Sequence, residues 1–297
     1  MPTTQPVVVD LPLPHLRLRA LTWGPEDGPL ALCLHGFPDT PWCWRHLGPE
    51  LADRGYRVVA PYTRGYAPSG IPRDGEYSIG ALAYDALAVH RHLGAGDDAL
   101  LLGHDWGALT ANTLAALPDG PFARVASLSV PPIAAMSRLP RDRTWPGLAL
   151  RQVRSSWYIL FLQFDGLAER QLPRVIRRLW RDWAPGYDSD DDVARFLSAI
   201  PTPAHRTAVA SYYRALVRPA LPDPRFAALQ RGLLAEPVTP MLYLHGEGDH
   251  ALRAGWTTGV ADVLPDGSRT EVVPGVDHFL LQQDPERVNG IILDWLG

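Results

Sequence analysis

Residues 100–115 read LLLGHDWGALTANTLA, an apolar run that enters Gly103-His104-Asp105-Trp106-Gly107 and leaves as an Ala- and Leu-rich helical pattern. The form Gly-x-nucleophile-x-Gly holds its central residue on a strained turn between a strand and a helix, and the flanking glycines let backbone and helix approach closely. The central side chain then points at whatever occupies the site. Here it is Asp105 rather than serine. A serine would imply acyl transfer, whereas a carboxylate nucleophile suits displacement at a saturated carbon, which leaves a covalent alkyl ester.

The flanking sequence offers what such a nucleophile needs. Upstream, Leu34-His35-Gly36-Phe37-Pro38-Asp39 follows an earlier apolar run, where an oxyanion loop belongs. The backbone N–H groups of Phe37 and Trp106 are expected to face the Asp105 carboxyl and to stabilise the oxyanion that develops when water attacks the ester. His35 reads as a brace of that loop. Downstream, an acid and a base are expected in chain order: LHGEGD at 244–249 offers Asp249, and PGVDHF at 274–279 offers His278. Asp249 would hold the imidazole tautomer while His278 deprotonates water. Glu247 and Asp277 compete for the acid's role, but Asp277 adjoins His278 and its side chain should diverge.

Further outward, short apolar runs alternate with helical patterns, as in an α/β protein with a mostly parallel central sheet flanked by helices. The expected strands are 16–23, 30–35, 57–61, 99–104, 124–130, 241–245 and 270–273; the expected helices are 42–54, 78–93, 106–117 and 285–295. From 131 to about 235 no strand is convincing, and Arg, aromatic residues and Pro dominate, which predicts a helical cap inserted between two parts of one core. The division is thus 1–130 core, 131–235 cap and 236–297 core, with the active site at their junction.

Composition removes other classes of function. Hydrophobic residues at 46% and charged ones at 20% exclude a disordered or collagen-like chain, and a chain this long buries roughly three quarters of its unfolded surface. Lys plus Arg at 28 against Asp plus Glu at 32 gives a net charge of −4, so nucleic acid is not an expected partner. No lysine occurs, which excludes a Schiff base. Cys33 and Cys43 are too few for a disulfide framework and lack metal-site spacing, and read as two reduced thiols. MPTTQPVVVDLPLPH at the N-terminus has neither a basic nor an apolar signal segment, and no run approaches the roughly 18 apolar residues of a span. A cytoplasmic protein with no membrane partner is expected.

Three weaker patterns have bland readings. Gly246-Glu247-Gly248-Asp249-His250-Ala251 matches a loose dinucleotide fingerprint, but lies too late in the chain and lacks a ribose carboxylate. Asp188, Asp190 and Asp192 mimic a calcium loop, yet its sixth position is Val193 and its twelfth Ala199; Ser189 and the aspartates are expected to cap a helix instead. The Arg-rich stretch 170–181 reads as a solvated helix face.

The motifs HGFPD (35–39), RGYAPS (64–69) and GHDWGA (103–108), with Asp249 and His278, resemble the α/β-hydrolase superfamily over nearly the whole chain, and within it the epoxide hydrolase branch. The resemblance implies the α/β-hydrolase fold, no metal or organic cofactor, and two cap tyrosines whose phenols donate to the epoxide oxygen as the ring opens. The first sits in Tyr-x-x-x-x-Gln-x-x-Gly-x-Ala-Glu, matched here by Tyr158, Gln163, Gly166, Ala168 and Glu169; the second falls in Tyr212-Tyr213-Arg214, with Tyr213 in register and Tyr212 as the fallback. Departures are Tyr62-Thr63 before Arg64-Gly65-Tyr66 and Phe164-Asp165 before Gly166. The implied partners are a small apolar epoxide and water, in a monomer or homodimer, with Trp106, Phe37 and Trp157 against the substrate. Haloalkane dehalogenases share the fold and the Asp nucleophile, and Trp106 with Trp157 could serve a halide. A protein that keeps the fold as a non-catalytic ligand-binding module is the third reading.

Overall fold

A computed structural model describes residues 5–139, 142–219 and 223–297. Among these residues eight strands occur: β1 (Val7–Pro12), β2 (Arg17–Trp23), β3 (Leu30–Leu34), β4 (Arg57–Pro61), β5 (Ala99–His104), β6 (Phe122–Leu128), β7 (Met241–Gly246) and β8 (Arg269–Val273). They form one sheet in the order β1-β2-β4-β3-β5-β6-β7-β8. The first two pairings, β1 with β2 and β2 with β4, are antiparallel; the rest are parallel. Central β3 and β5 are buried at every position, as continuous apolar runs covered on both faces must be. The sequence pattern leaves β1 unassigned. It is an edge strand with its valines largely exposed, so pairing with β2 and not burial makes it a strand.

Helices α1 (Leu47–Asp53), α2 (Ile79–His92) and α3 (Trp106–Ala115) follow in the first part of the chain. The helix expected at 42–54 is divided: Pro41–Arg45 forms a 3-10 turn whose Trp42 N–H is capped by the Thr40 hydroxyl, and α1 begins only at Leu47. Between β6 and β7 run α4 (Ile133–Met136), α5 (Trp145–Ser155), α6 (Trp157–Phe161), α7 (Leu167–Trp183), α8 (Asp190–Ser198), α9 (Pro203–Val217) and α10 (Pro224–Gly232); α11 (Leu280–Gln283) and α12 (Pro285–Leu296) close the chain. Helix α10, which the sequence reading counts with the cap, lies against α2 and α3 of the core. Its Gln230 accepts the Gly80 N–H at 2.7 Å, and a side chain at Gly80 would collide with the Phe226 carbonyl.

Two apolar clusters cover the two faces of the sheet, and a third, built from Phe37, Trp106, Trp180 and the cap tyrosines among others, fills the space between the strand ends and α6–α9. The helices between β6 and β7 are also tied to the rest of the chain by polar contacts. Arg45 forms a two-pronged pair with buried Asp192 of α8, at 2.8 and 3.1 Å, and the Tyr187 hydroxyl donates to the same carboxyl. Ser189 makes no side-chain cap on α8, contrary to the expectation; Asp188 accepts the Asp190 N–H, and three aspartates occupy the first helical turn. Arg64 of the RGYAPS stretch is fully buried, with both Nε and Nη2 on Asp85, and its carbonyl accepts the Tyr212 hydroxyl at 2.7 Å.

Candidate active site

The turn after β5 has the strained form that its glycines allow. Asp105 has φ 52 and ψ −111, a left-handed backbone uncommon for a residue with a side chain. A Cβ on Gly107 would lie 2.0 Å from the Leu34 carbonyl oxygen, and one on Gly103 would lie 2.2 Å from that of Gly107. Only bare backbone lets α3 start this close to β3 and β5, and that closeness lifts the Asp105 side chain above the strand ends.

Asp105 Oδ1 accepts the Phe37 N–H at 2.7 Å. The Trp106 N–H also favours the charged form of this carboxyl. One backbone donor at hydrogen-bond distance and a second beside it therefore face the place where an oxyanion would form on the ester. His35 braces that loop, bonded through Nδ1 to the Gly36 carbonyl and through Nε2 to the Thr63 N–H. Asp39, at the end of the same loop, accepts the Thr40 N–H and a bond from Gln282 of α11, which joins the oxyanion loop to the segment carrying His278.

His278 lies after β8 and is completely buried. Its Nδ1 bonds Asp249 Oδ2 at 2.9 Å, while Nε2 has no hydrogen-bond partner and stands 3.8 Å from Asp105 Oδ2. Asp249 in turn accepts the N–H groups of Ala251 and Leu252. Among the competitors, Asp277 turns away to accept from Gln283. His104 is buried as well, and its Nε2–H donates to the His278 carbonyl at 2.9 Å.

Burial pushes the Asp105 carboxyl up to about 6, against the opposing pull of His278 and of the Phe37 and Trp106 N–H groups. Burial disfavours the charged imidazole of His278, but the charge and hydrogen bond of Asp249, with the charge of Asp105, outweigh it and hold His278 above the ordinary histidine value. Burial likewise works against the Asp249 carboxylate, yet its bond and charge contact with His278 keep it below the usual aspartate value. An acid held in its ionised form thus stands beside an imidazole whose free nitrogen faces Asp105.

A cavity of about 250 Å³ opens above these groups. Asp105, Trp106, His278, Tyr158 and Tyr213 line it at one end, and the remaining wall is mostly aliphatic, with Leu109, Ile133, Met136, Ile159 and Leu216 among its residues. The rings of Tyr158 and Tyr213 meet edge to face at a centroid distance of 5.3 Å. Both phenols are pushed upward, first by burial and then by nearby groups that include the Asp105 carboxylate, so both stay protonated as donors. Tyr212 points elsewhere, its hydroxyl held by the Arg64 carbonyl.

Two expected substrate contacts are not on the wall. The Phe37 ring packs behind the tyrosines, with centroids 5.0 Å from Tyr213 and 6.4 Å from Tyr158, so this residue reaches the site through its backbone alone. Trp157 stands outside the cavity lining, its ring covered by the Arg178 guanidinium at 4.4 Å. Residues that sequence reasoning missed include Gln152 and Ser156 of the cap and Ser129 at the end of β6. Gln152 bonds the Ala251 carbonyl and the Ser156 hydroxyl, and carries no sequence signal beyond its place in a helical pattern.

Comparison with known proteins gives the family. The family model described as the alpha/beta hydrolase fold matches residues 29–285, and the chain belongs to that family. Within it, Epoxide hydrolase A of Mycobacterium tuberculosis is 30% identical, over 95% of this chain and 94% of its own. Epoxide hydrolase 3 of Mus musculus is 26% identical, over 92% of this chain and 72% of its own. The crystal structure of Epoxide Hydrolase A from Mycobacterium thermoresistibile superposes with a TM-score of 0.76, covering 98% of both chains at 27% identity. Among the described residues no helix is long and apolar enough to cross a membrane, and no group of three or more His, Cys, Asp or Glu side chains could hold a metal ion. Cys33 and Cys43 are both free and buried.

Proposed function

We propose that this protein is an epoxide hydrolase that converts a small apolar epoxide to a vicinal diol through an ester on Asp105. The observation that carries the reading is the opposition of two groups across one cavity: an Asp105 carboxyl capped by the Phe37 N–H, and the protonated pair Tyr158 and Tyr213. Asp105 attacks a ring carbon, the C–O bond of the ring breaks, and the electron pair left on oxygen takes a proton from a tyrosine. An alkoxide is a poor leaving group, so this acid is needed; a phenol with a reference pKa of about 10 is protonated at neutral pH.

Water then bonds His278 Nε2 from the cavity side, beside the Asp105 ester carbonyl. His278 takes its proton, hydroxide adds to the ester carbonyl, and the oxyanion rests on the Phe37 and Trp106 N–H groups. Collapse releases the diol and restores the carboxylate, and the proton on His278 returns to the tyrosine through solvent or product. The charge of Asp105 helps hold His278 above its ordinary value. Ester formation neutralises that charge, so the imidazole becomes free to act as a base just when one is required. The supporting relatives are those named epoxide hydrolases.

Single turnover in H₂¹⁸O tests this. Water attacks the carbonyl and not the alkyl carbon, so the first turnover leaves ¹⁸O on Asp105 and unlabelled diol. Label appearing in the diol of the first turnover would refute the ester.

The dehalogenase reading loses its second halide donor, because Trp157 is stacked beneath Arg178 away from the cavity. Division of labour between a core of 1–130 and 236–297 and a cap of 131–235 is part of the same proposal, with α10 acting as a core helix. We take the working unit to be a cytoplasmic monomer or homodimer.

A further inference from the structure

Among the described residues only two that are not glycine have positive φ: Asp105 at 52 and Ser129 at 68. Strain of this kind persists where the surroundings hold it, and glycine would avoid it at either place. Asp105 has a reason to be there. Ser129 lies one residue beyond β6, fully buried, with its N–H on the Leu244 carbonyl at 2.9 Å. It is not part of the cavity wall. Its hydroxyl donates to the His278 carbonyl at 2.8 Å.

That carbonyl is held twice, since His104 donates to it at 2.9 Å. His104 and Leu128 are register partners on the neighbouring strands β5 and β6. The residues that follow them are therefore the two strained ones, Asp105 and Ser129. On the other side of the same residue, the His278 N–H donates to the Trp183 carbonyl of the cap at 3.2 Å. Both backbone polar groups of His278 are thus fixed, one by the cap and one by the two strand ends beside the nucleophile.

We infer that Ser129 is a positioning residue, whose hydroxyl holds the His278 backbone so that Nε2 stays 3.8 Å from Asp105 and open to a hydrolytic water in the cavity. The inference rests on the role of His278 proposed above. The strain at Ser129 is then the consequence of using a side chain where the backbone favours glycine. Loss of the hydroxyl leaves Asp105 and the tyrosines untouched, so alkylation should be spared and ester hydrolysis should slow.

Ser129→Gly and Ser129→Ala test this with styrene oxide as the probe, by rapid quenching and intact mass spectrometry. The alkyl-enzyme should form at the wild-type rate and decay about five- to tenfold more slowly, the scale of one buried hydrogen bond, so that it accumulates. Ser129→Gly should melt close to wild type, because release of the positive-φ strain offsets the lost hydrogen bond. An ester that decays at the wild-type rate in Ser129→Gly would overturn the inference while leaving the proposed function intact. A measurement without substrate closes the remaining gap: the low-field proton resonance of the His278 Nδ1–Asp249 bond should broaden in Ser129→Gly, and an unchanged line would also overturn it. Failure of the His278 reading itself would show separately, as full turnover by His278→Ala.

Discussion

The strand-end loops and the cap meet at one cavity but are held by different physics. Asp105, Asp249 and His278 stand on loops whose position follows from backbone constraints: glycine contacts near 2 Å, a left-handed turn and backbone donors on both acids. Tyr158 and Tyr213 stand on helices that meet the core through side-chain packing and a few polar ties such as Arg45 with Asp192. Helix α5 buries none of its residues, and Leu150 and Val153 on it are 66% and 67% exposed. Backbone constraint therefore dominates in the strand-end loops, and the loosest packing between β6 and β7 lies at α5. The chemical steps should therefore respond sharply to substitutions in the strand-end loops, while substitutions in the helices above them should grade from large effects at the tyrosines to almost none at the surface.

The sharpest break of this contrast is Asp105→Ala, which should abolish turnover and adduct formation alike; measurable diol would place the nucleophile elsewhere. Next come the tyrosines. Tyr158→Phe or Tyr213→Phe should slow ring opening by about 10²-fold, the usual scale for general acid catalysis, and the double variant should slow it further. Near-normal opening in the double variant, followed by stopped-flow, would remove the cap from the chemistry. The effect of pH has a definite sign. Asp105, raised to about 6, must be ionised to attack, so wild-type alkylation should rise through pH 6 and level off above it; a rate that falls over that range would contradict the assignment.

Smaller effects probe the join between core and cap. Asp192→Asn weakens a buried pair with Arg45 and a bond from Tyr187, so it should cost about 1–3 kcal/mol in denaturant unfolding with little change in the first chemical step. At the far end of the scale, Trp157→Phe removes a half-buried ring that does not line the cavity, so kcat/KM for epoxides should stay near the wild-type value. A tenfold loss would return Trp157 to the substrate wall.

Much of the core was legible because its constraints are local. A glycine pattern around Asp105, a buried run before it and a helix after it are visible in sixteen residues. Asp249 and His278 follow short motifs that also end strands. The cap is set by tertiary packing, which explains the uneven result there. The sequence points to Tyr158 and Tyr213 only through a resemblance, and both line the cavity; Trp157 does not, since nothing local says which way an indole turns on a helix bordered by Arg178. Phe37 was expected both through its N–H and through its ring; only the first depends on backbone geometry. No strand pattern separates α10 from the helices before it, so only its packing on α2 and α3 sets it apart from them. Ser129 had no signal at all, since a serine after a strand is ordinary until its φ and its partner are known.

The central claim is that Asp105 opens an epoxide by forming an ester that His278 later hydrolyses. It is tested most directly by intact mass spectrometry of His278→Ala mixed with an epoxide and a bromoalkane of distinguishable alkyl masses. Measurement at pH 8 is needed, because removing His278 takes away a neighbour that favours the Asp105 carboxylate. The account predicts a mass shift equal to the whole epoxide, mapped by peptide analysis to Asp105. A shift equal to the alkyl group without bromide, or no adduct with either compound, would contradict it.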